Sequence, residues 1–127
     1  MTLLGVDYGG KKVGLAKSAG PLAVSLCVIK NDKSLFQKIK EICEQEKIEK
    51  IVVGVPHPHS GNESEQQKKS ERFVNNLRQQ LQVEVIAEDE RMSTIEAQKL
   101  GIGLKKGEDD DAVAAMLILQ SYLDRNL

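Results

Sequence analysis

The feature of this sequence that most constrains its fold is an apolar segment that ends on an acid and a glycine-rich turn. Residues 3–6 (Leu-Leu-Gly-Val) are predicted to form a buried strand, and Asp7 follows them directly. Residues 8–12 (Tyr-Gly-Gly-Lys-Lys) form a turn, and residues 13–16 begin a second strand. Because a carboxylate is rarely buried without a partner, Asp7 is either salt-bridged at the turn, a metal ligand or a phosphate-loop acid.

Length and charge limit the classes of protein to consider. The chain has 127 residues, which predicts a single domain, with 18 basic and 19 acidic side chains. A net charge of −1 does not indicate a nucleic-acid partner, so any basic surface must be local. Cys27 and Cys43 fall in separate predicted elements and are expected to be buried thiols. The sequence opens without a charged-then-apolar leader and lacks an apolar run of ~20 residues, so we expect a cytoplasmic protein without a membrane span.

Hydrophobic periodicity predicts an α/β domain with the element order βββαβαβα(α). Three strands joined by short links should form an antiparallel meander. The fourth strand, with the run Ile-Val-Val-Gly-Val, reads as buried on both faces, which is typical of a parallel sheet reached by helical crossovers. The predicted strands lie at residues 3–6, 13–16, 22–29, 48–55 and 83–87. The predicted helices lie at residues 35–46, at 64–80, from Ser93 (capped with Glu96) to Gly101 or Gly103, and from the acidic run 109–111 onward.

Acids from distant parts of the chain are predicted to meet at one end of this sheet. The carboxyl ends of strands one, four and five should lie together, which brings Asp7 near Asp89 and Glu90. The last helix could present Asp111 at the same place. Such carboxylates repel one another unless a divalent ion compensates them, and oxygen ligands suit Mg²⁺ or Mn²⁺. Two such ions can clamp a phosphodiester and activate a water.

Each part of this constellation also has an ordinary structural interpretation. The Asp89-Glu90-Arg91 segment could be a surface salt-bridge turn, and Asp109 and Asp110 are better explained as an acidic first helical turn. The glycine turn after Asp7 also fits a phosphate-binding hairpin. His57 and His59 are interpreted as loop or substrate-contact residues rather than zinc ligands. Basic residues predicted to share the acidic end, for phosphate binding or as a solvated face, are Lys11, Lys12, Lys17, Arg91, Lys105 and Lys106.

Four blocks of the sequence, in order along nearly the whole chain, resemble the YqgF/RuvX family of Holliday-junction-resolvase-like proteins, also described as pre-16S rRNA nucleases. The blocks are residues 5–16, 51–63, 89–97 and 111–123. The resemblance implies an RNase H-like fold, with a mixed five-stranded sheet in the order 3-2-1-4-5 flanked by helices, and metal-dependent nuclease chemistry. It carries over the acids Asp7, Asp89, Glu90 and Asp111, and the basic positions Lys12 and Arg91.

The chain departs from the family pattern at several positions near these acids. Gly10 stands where a small hydroxyl residue is usual, and Lys12 stands where Arg is common, which loses a bidentate phosphate contact. Residues 57–60 replace a more apolar, Asn-containing loop, and Asp109 and Asp110 add negative charge. Strand alternation places Asp89 and Glu90 on opposite faces, so only one of them should bind metal directly.

The leading hypothesis is a Mg²⁺- or Mn²⁺-dependent endonuclease for structured nucleic acid, with Asp7, Glu90 (or Asp89) and Asp111 as ligands. Ribosomal RNA precursor, with ribosomal particles as associated partners, is the first choice of substrate, and branched DNA is the second. The residues expected to bind nucleic acid are Lys11, Lys12, Arg91, Lys105 and Lys106.

Two alternatives stay open at this point. One is a non-catalytic nucleic-acid-binding ribosome-assembly factor. The other is an actin-like ATP-binding module, against which the length argues because such proteins clamp nucleotide between two related domains. The sequence leaves open whether the protein is a monomer or a homodimer.

Overall fold

The computed structural model describes residues 1–56, 64–89 and 110–126. The predicted Ser93 helix, His57, His59, Glu90, Arg91, Lys105 and Lys106 lie outside the described residues. The described elements keep the predicted order: β1 (Thr2–Tyr8), β2 (Lys12–Ala19), β3 (Leu22–Lys30), α1 (Leu35–Gln45), β4 (Ile48–Val55), α2 (Glu65–Gln80), β5 (Glu84–Asp89) and α3 (Asp110–Arg125).

The strands form one mixed sheet in the order β3-β2-β1-β4-β5, which confirms the predicted order. β1, β2 and β3 pair antiparallel as the expected meander. β1 pairs parallel with β4, and β4 pairs parallel with β5. Helices α1 and α2 are the crossovers that return the chain to start each parallel strand from the same edge.

Side-chain alternation gives the sheet two differently covered faces. Leu4 and Val6 of β1 belong to the larger core, which also contains Leu35 of α1 and Phe73 of α2. Leu3, which precedes Leu4 and points to the other face, belongs to a second core formed with α3. Because successive side chains of a strand point to opposite faces, Gly5 and Asp7 lie on the α3 face with Leu3.

Helix α3 packs directly on the backbone of β1. A Cβ atom at Gly5 would lie 2.7 Å from Cβ of Leu119 and 2.8 Å from the carbonyl oxygen of Ala115. Both distances are shorter than real Cβ contacts, so the helix can approach the strand this closely only because residue 5 is glycine.

Helices α1 and α2 begin with different polar contacts. Ser64 caps α2 as a Ser should, since its hydroxyl accepts a hydrogen bond from the amide of Gln67 at 3.0 Å. Ser34 precedes α1 but does not cap it with its side chain. The carboxylate of Asp32 instead accepts hydrogen bonds from the Ser34 amide and hydroxyl, at 2.9 and 2.6 Å. The turn before α1 is therefore held by Asp32 and not by a serine cap.

The two cysteines are free thiols. Cys43 is buried, and its pKa is raised to about 11, mainly by burial and to a smaller extent by the negative charge of Glu44. Partial burial also raises the pKa of Cys27. Among the described helices, none combines the length and apolar character that a membrane crossing requires.

We expect Gly5→Ala to destabilise the protein, because the added methyl group would push α3 away from β1. Overpacking of this kind costs about 1–3 kcal/mol in the free energy of unfolding. Urea denaturation followed by circular dichroism measures the change. Gly10→Ala is the matched control, since a Cβ there meets nothing within 4 Å, and its midpoint should stay near that of the parent protein. Equal midpoints for the two variants would contradict this account of α3 packing.

Candidate functional site

The acid that ends the predicted first strand lies inside β1 and is buried. Asp7 is only 9% exposed, and it lies directly opposite Gly14 in the β1–β2 pairing. Its side chain is on the sheet face that α3 covers. The expected burial of this carboxylate at the carboxyl end of β1 is therefore confirmed.

The beginning of α3 is placed against the same point of the sheet. A Cβ at Gly14 would lie 1.9 Å from the carbonyl oxygen of Asp111 and 2.9 Å from the amide nitrogen of Ala112. The backbone of Asp111 therefore rests on the residue that pairs with Asp7. Two acids separated by more than a hundred positions are brought to neighbouring places on one face of the sheet.

On β5, the acid that faces α3 is one that the sequence did not single out. Glu88 is 3% exposed, forms an ion pair with Arg125, and accepts a hydrogen bond from the Ser121 hydroxyl at 3.3 Å. Both partners belong to α3. Val85 belongs to the larger core, so alternation along β5 puts positions 86 and 88 on the α3 face. This alternation is the signal that could have identified Glu88 as an acid facing α3.

The same alternation separates Asp89 from Asp7. Asp89 ends β5 and is partly buried, and it follows Glu88 on the opposite face of the strand. Within the part of the chain that the structure describes, no three His, Cys, Asp or Glu side chains form a group that could hold a metal ion. Asp7, Asp89 and Asp111 therefore do not constitute such a group by themselves, while Glu90 lies outside the described residues.

The turn between β1 and β2 is held by two amide side chains that sequence reasoning missed. The Asn31 side chain donates to the carbonyl of Gly9 at 2.7 Å, and its backbone amide donates to the carbonyl of Lys11 at 2.9 Å. The Gln66 side chain donates to the carbonyl of Tyr8 at 3.0 Å. An Asn after a strand and a Gln in the first turn of a helix are too common to be recognised as turn supports from sequence.

The predicted basic residues divide into two groups. Lys11 lies in the turn at the acidic end of the sheet, as expected, and Lys12 is the first residue of β2; both are exposed. Lys17 was predicted to lie in a loop at that end, and this was wrong. It lies within β2, opposite Leu4, and forms an ion pair with Glu46 near the other end of the sheet. The apolar alternation of β2 simply continues past the point where a loop was expected.

Comparison with protein families gives a match along almost the whole chain. Residues 1–125 match the family described as "RuvX: Holliday junction resolvase". A protein of Sulfurihydrogenibium sp. (strain YO3AOP1) is 39% identical over 130 residues, which span 97% of this chain and 90% of the relative. A protein of Thermoanaerobacter pseudethanolicus is 37% identical over 134 residues, with 98% and 96% covered. Both carry the name "Putative pre-16S rRNA nuclease".

Solved structures show the same fold in more distant proteins. RuvC of T. thermophilus, in complex with a Holliday junction substrate, superposes with a TM-score of 0.65 at 16% identity, covering 99% of this chain and 95% of RuvC. The Fowlpox virus resolvase, in complex with Holliday junction DNA, has a TM-score of 0.60 at 14% identity, covering 100% and 99%. These similarities confirm the RNase H-like fold that the sequence blocks implied.

We expect Arg125→Ala to destabilise the protein, because it leaves the buried Glu88 carboxylate without its cation. Breaking a buried pair costs about 3–5 kcal/mol, and since the Arg125 side chain is 39% exposed, solvent should reduce the loss to about 1–3 kcal/mol. Urea denaturation gives the difference. Lys38→Ala is the control, because its pair with Asp32 is exposed on both sides and should contribute less than about 1 kcal/mol. A loss of unfolding free energy for Arg125→Ala no larger than that for Lys38→Ala would contradict this expectation.

Proposed function

Since the chain belongs to the RuvX family of Holliday junction resolvases, we propose that it is a metal-dependent endonuclease that hydrolyses phosphodiester bonds in structured nucleic acid. The names of its relatives favour precursor 16S rRNA as the substrate, with ribosomal particles as the place of action. The junction complexes of its structural neighbours make branched DNA the second candidate.

The observation that carries this proposal is the approach of Asp111 to Asp7 through Gly14. The carboxylate of Asp7 lies on the α3 face, and the backbone of Asp111 rests on the residue opposite it. Two carboxylates brought near each other at a partly buried surface repel, and a divalent cation relieves this repulsion. The donors are oxygen atoms, which fit Mg²⁺ or Mn²⁺ better than softer metals.

We assign Glu90, rather than Asp89, as the third carboxylate of the set. Glu88 is on the α3 face, held by Ser121 and Arg125. Alternation along β5 puts Asp89 on the opposite face from Glu88 and Asp7, and this favours Glu90, the other acid of the Asp89-Glu90 pair. Asp7, Glu90 and Asp111 would then hold the metal, which when bound supplies Lewis-acid stabilisation of the charge that develops during hydrolysis.

The other residues of the site position the substrate. The Asn31 and Gln66 side chains hold the turn that leads into Lys11 and Lys12, which supports the proposal that these lysines bind substrate near the acids. Lysine binds a phosphate as a point charge, without the forked geometry of arginine. Lys11 and Lys12, together with Arg91, Lys105 and Lys106, are proposed to bind the phosphates that flank the reacting one.

We expect Asp7→Asn to abolish cleavage while leaving the protein folded, because the amide keeps the shape of the carboxylate but not its charge. The measurement compares cleavage of a precursor rRNA fragment and of a four-way DNA junction, in Mn²⁺ and in chelator. Asp32→Asn, at an acid that contacts Ser34 and Lys38 instead, is the control and should retain activity. Wild-type activity in Asp7→Asn would remove the metal site from the proposal. Tight binding by the parent protein without cleavage in Mn²⁺ would favour an assembly factor instead.

The two acids that follow Glu88 should behave differently. We expect Glu90→Gln to reduce cleavage by at least about 100-fold, as loss of charge stabilisation at the reacting group does. Asp89→Asn should retain cleavage within about 10-fold, because its side chain belongs to the other face of β5. Single-turnover rates at saturating Mn²⁺ measure both. The reverse ranking would assign the metal to Asp89.

A further inference from the structure

Two lysines lie directly opposite each other at the acidic end of the sheet. Lys12 begins β2 and Lys30 ends β3, and they are partners in the antiparallel register. Both are exposed. Directly opposed side chains have Cβ atoms about 4.5–5.5 Å apart, and like charges at this separation destabilise the pair of strands.

Among the described residues, no ion pair relieves this repulsion. Within the described segments, neither lysine takes part in an ion pair, whereas Lys17, Lys38, Lys50 and Lys68 each do. The acid nearest to Lys30 in sequence is Asp32. Hydrogen bonds from Ser34 lower its pKa most, and the positive charges of Lys38 and then Lys30 contribute less. Asp32 is therefore engaged mainly by its own turn.

The lysine pair faces the same side of the sheet as the acids. Positions 12, 14 and 16 of β2 share one face because side chains alternate along a strand. Ala16 belongs to the core beneath α3, so this shared face is the α3 face. Lys12 and its partner Lys30 therefore lie on the face that carries Asp7. Neighbouring strands are about 4.8 Å apart, so β3 lies about 10 Å from β1. With a rise of about 3.4 Å per nucleotide, this distance spans about three nucleotides of a strand.

We infer that Lys12 and Lys30 together form a phosphate-binding site for the nucleic-acid strand, on the β3 side of the reacting bond. This inference rests on the proposed nuclease function and extends its binding surface to a residue of β3. Two ammonium groups recognise phosphate charge and carry no base specificity. Base stacking on Tyr8 would not compete with this mode, since its ring is stacked on Phe73 with centroids 4.3 Å apart. The negative charge of the strand is what compensates the opposed lysines.

The test compares two double variants that remove the same net charge. K12Q/K30Q removes the proposed site, while K40Q/K69Q removes two exposed lysines from α1 and α2, which cover the other face. Binding of a fluorescein-labelled four-way DNA junction and of an RNA hairpin with single-stranded flanks is measured in chelator over a range of salt concentrations. Each phosphate contact contributes about 0.7–0.9 to the slope of log affinity against log salt, so K12Q/K30Q should lower the slope by about 1.4–1.8.

Three further results decide the assignment. K40Q/K69Q should keep the parent slope, and K12R/K30R, which retains both charges, should keep it as well. The urea midpoint of K12Q/K30Q should equal or exceed that of the parent, because a repulsive pair is removed. If K12Q/K30Q lowers the slope no more than K40Q/K69Q does, or if it unfolds at lower urea than the parent, the site is overturned.

The assay separates this inference from the proposed function. If K12Q/K30Q has a lower salt slope than the parent, and the parent does not cleave in Mn²⁺, the phosphate site is supported and the nuclease proposal is removed. Cleavage by the parent, combined with equal slopes for both double variants, would support the nuclease and remove the phosphate site.

Discussion

The contact on which the rest of the structure depends is the direct seating of α3 on the backbone of β1 and β2. Gly5 and Gly14 leave no room for a side chain between helix and sheet. The first glycine fixes the height of the helix above the sheet, and the second fixes where its amino end lies. Because Asp7 pairs with Gly14, the same contact that closes the smaller core also sets the position of Asp111. Stability and site geometry are thus coupled through two glycines.

The two carboxylates that the α3 face buries have different surroundings. Glu88 is compensated within the chain, by Arg125 and Ser121 at the carboxyl-terminal part of the helix that covers it. Asp7 lies at the other end of the same helix, opposite Gly14, on which the backbone of Asp111 rests. The helix therefore supplies a cation for the acid below its last turn, and its first turn brings a second acid to the part of the sheet that holds Asp7.

Much of the fold could be predicted from the sequence, because its signals are local and periodic. The run at β4 and the short links between β1, β2 and β3 were enough to predict a mixed sheet with an antiparallel meander, and the family resemblance supplied the full strand order. The position of Asp7 at the carboxyl end of β1 followed from the apolar run before it. The role of Glu88 could not be predicted, since it depends on an arginine 37 residues away that only tertiary packing brings near. Lys17 was misplaced for a related reason. Charged residues within strands look like loop residues until the register is known.

Lys30 shows most clearly what the register adds. In the sequence it is one lysine before a turn, and the overall charge of −1 offers no reason to single it out. In the sheet it opposes Lys12, on the face of Asp7. Asp7 and the start of α3 lie on one part of this face, and the two opposed lysines lie on the next. A phosphodiester strand would meet both parts at once under the two proposals, because its phosphates would contact the lysines and bound divalent cations would contact the acids. The proposed metal site and the proposed lysine site would then form one continuous surface for the substrate.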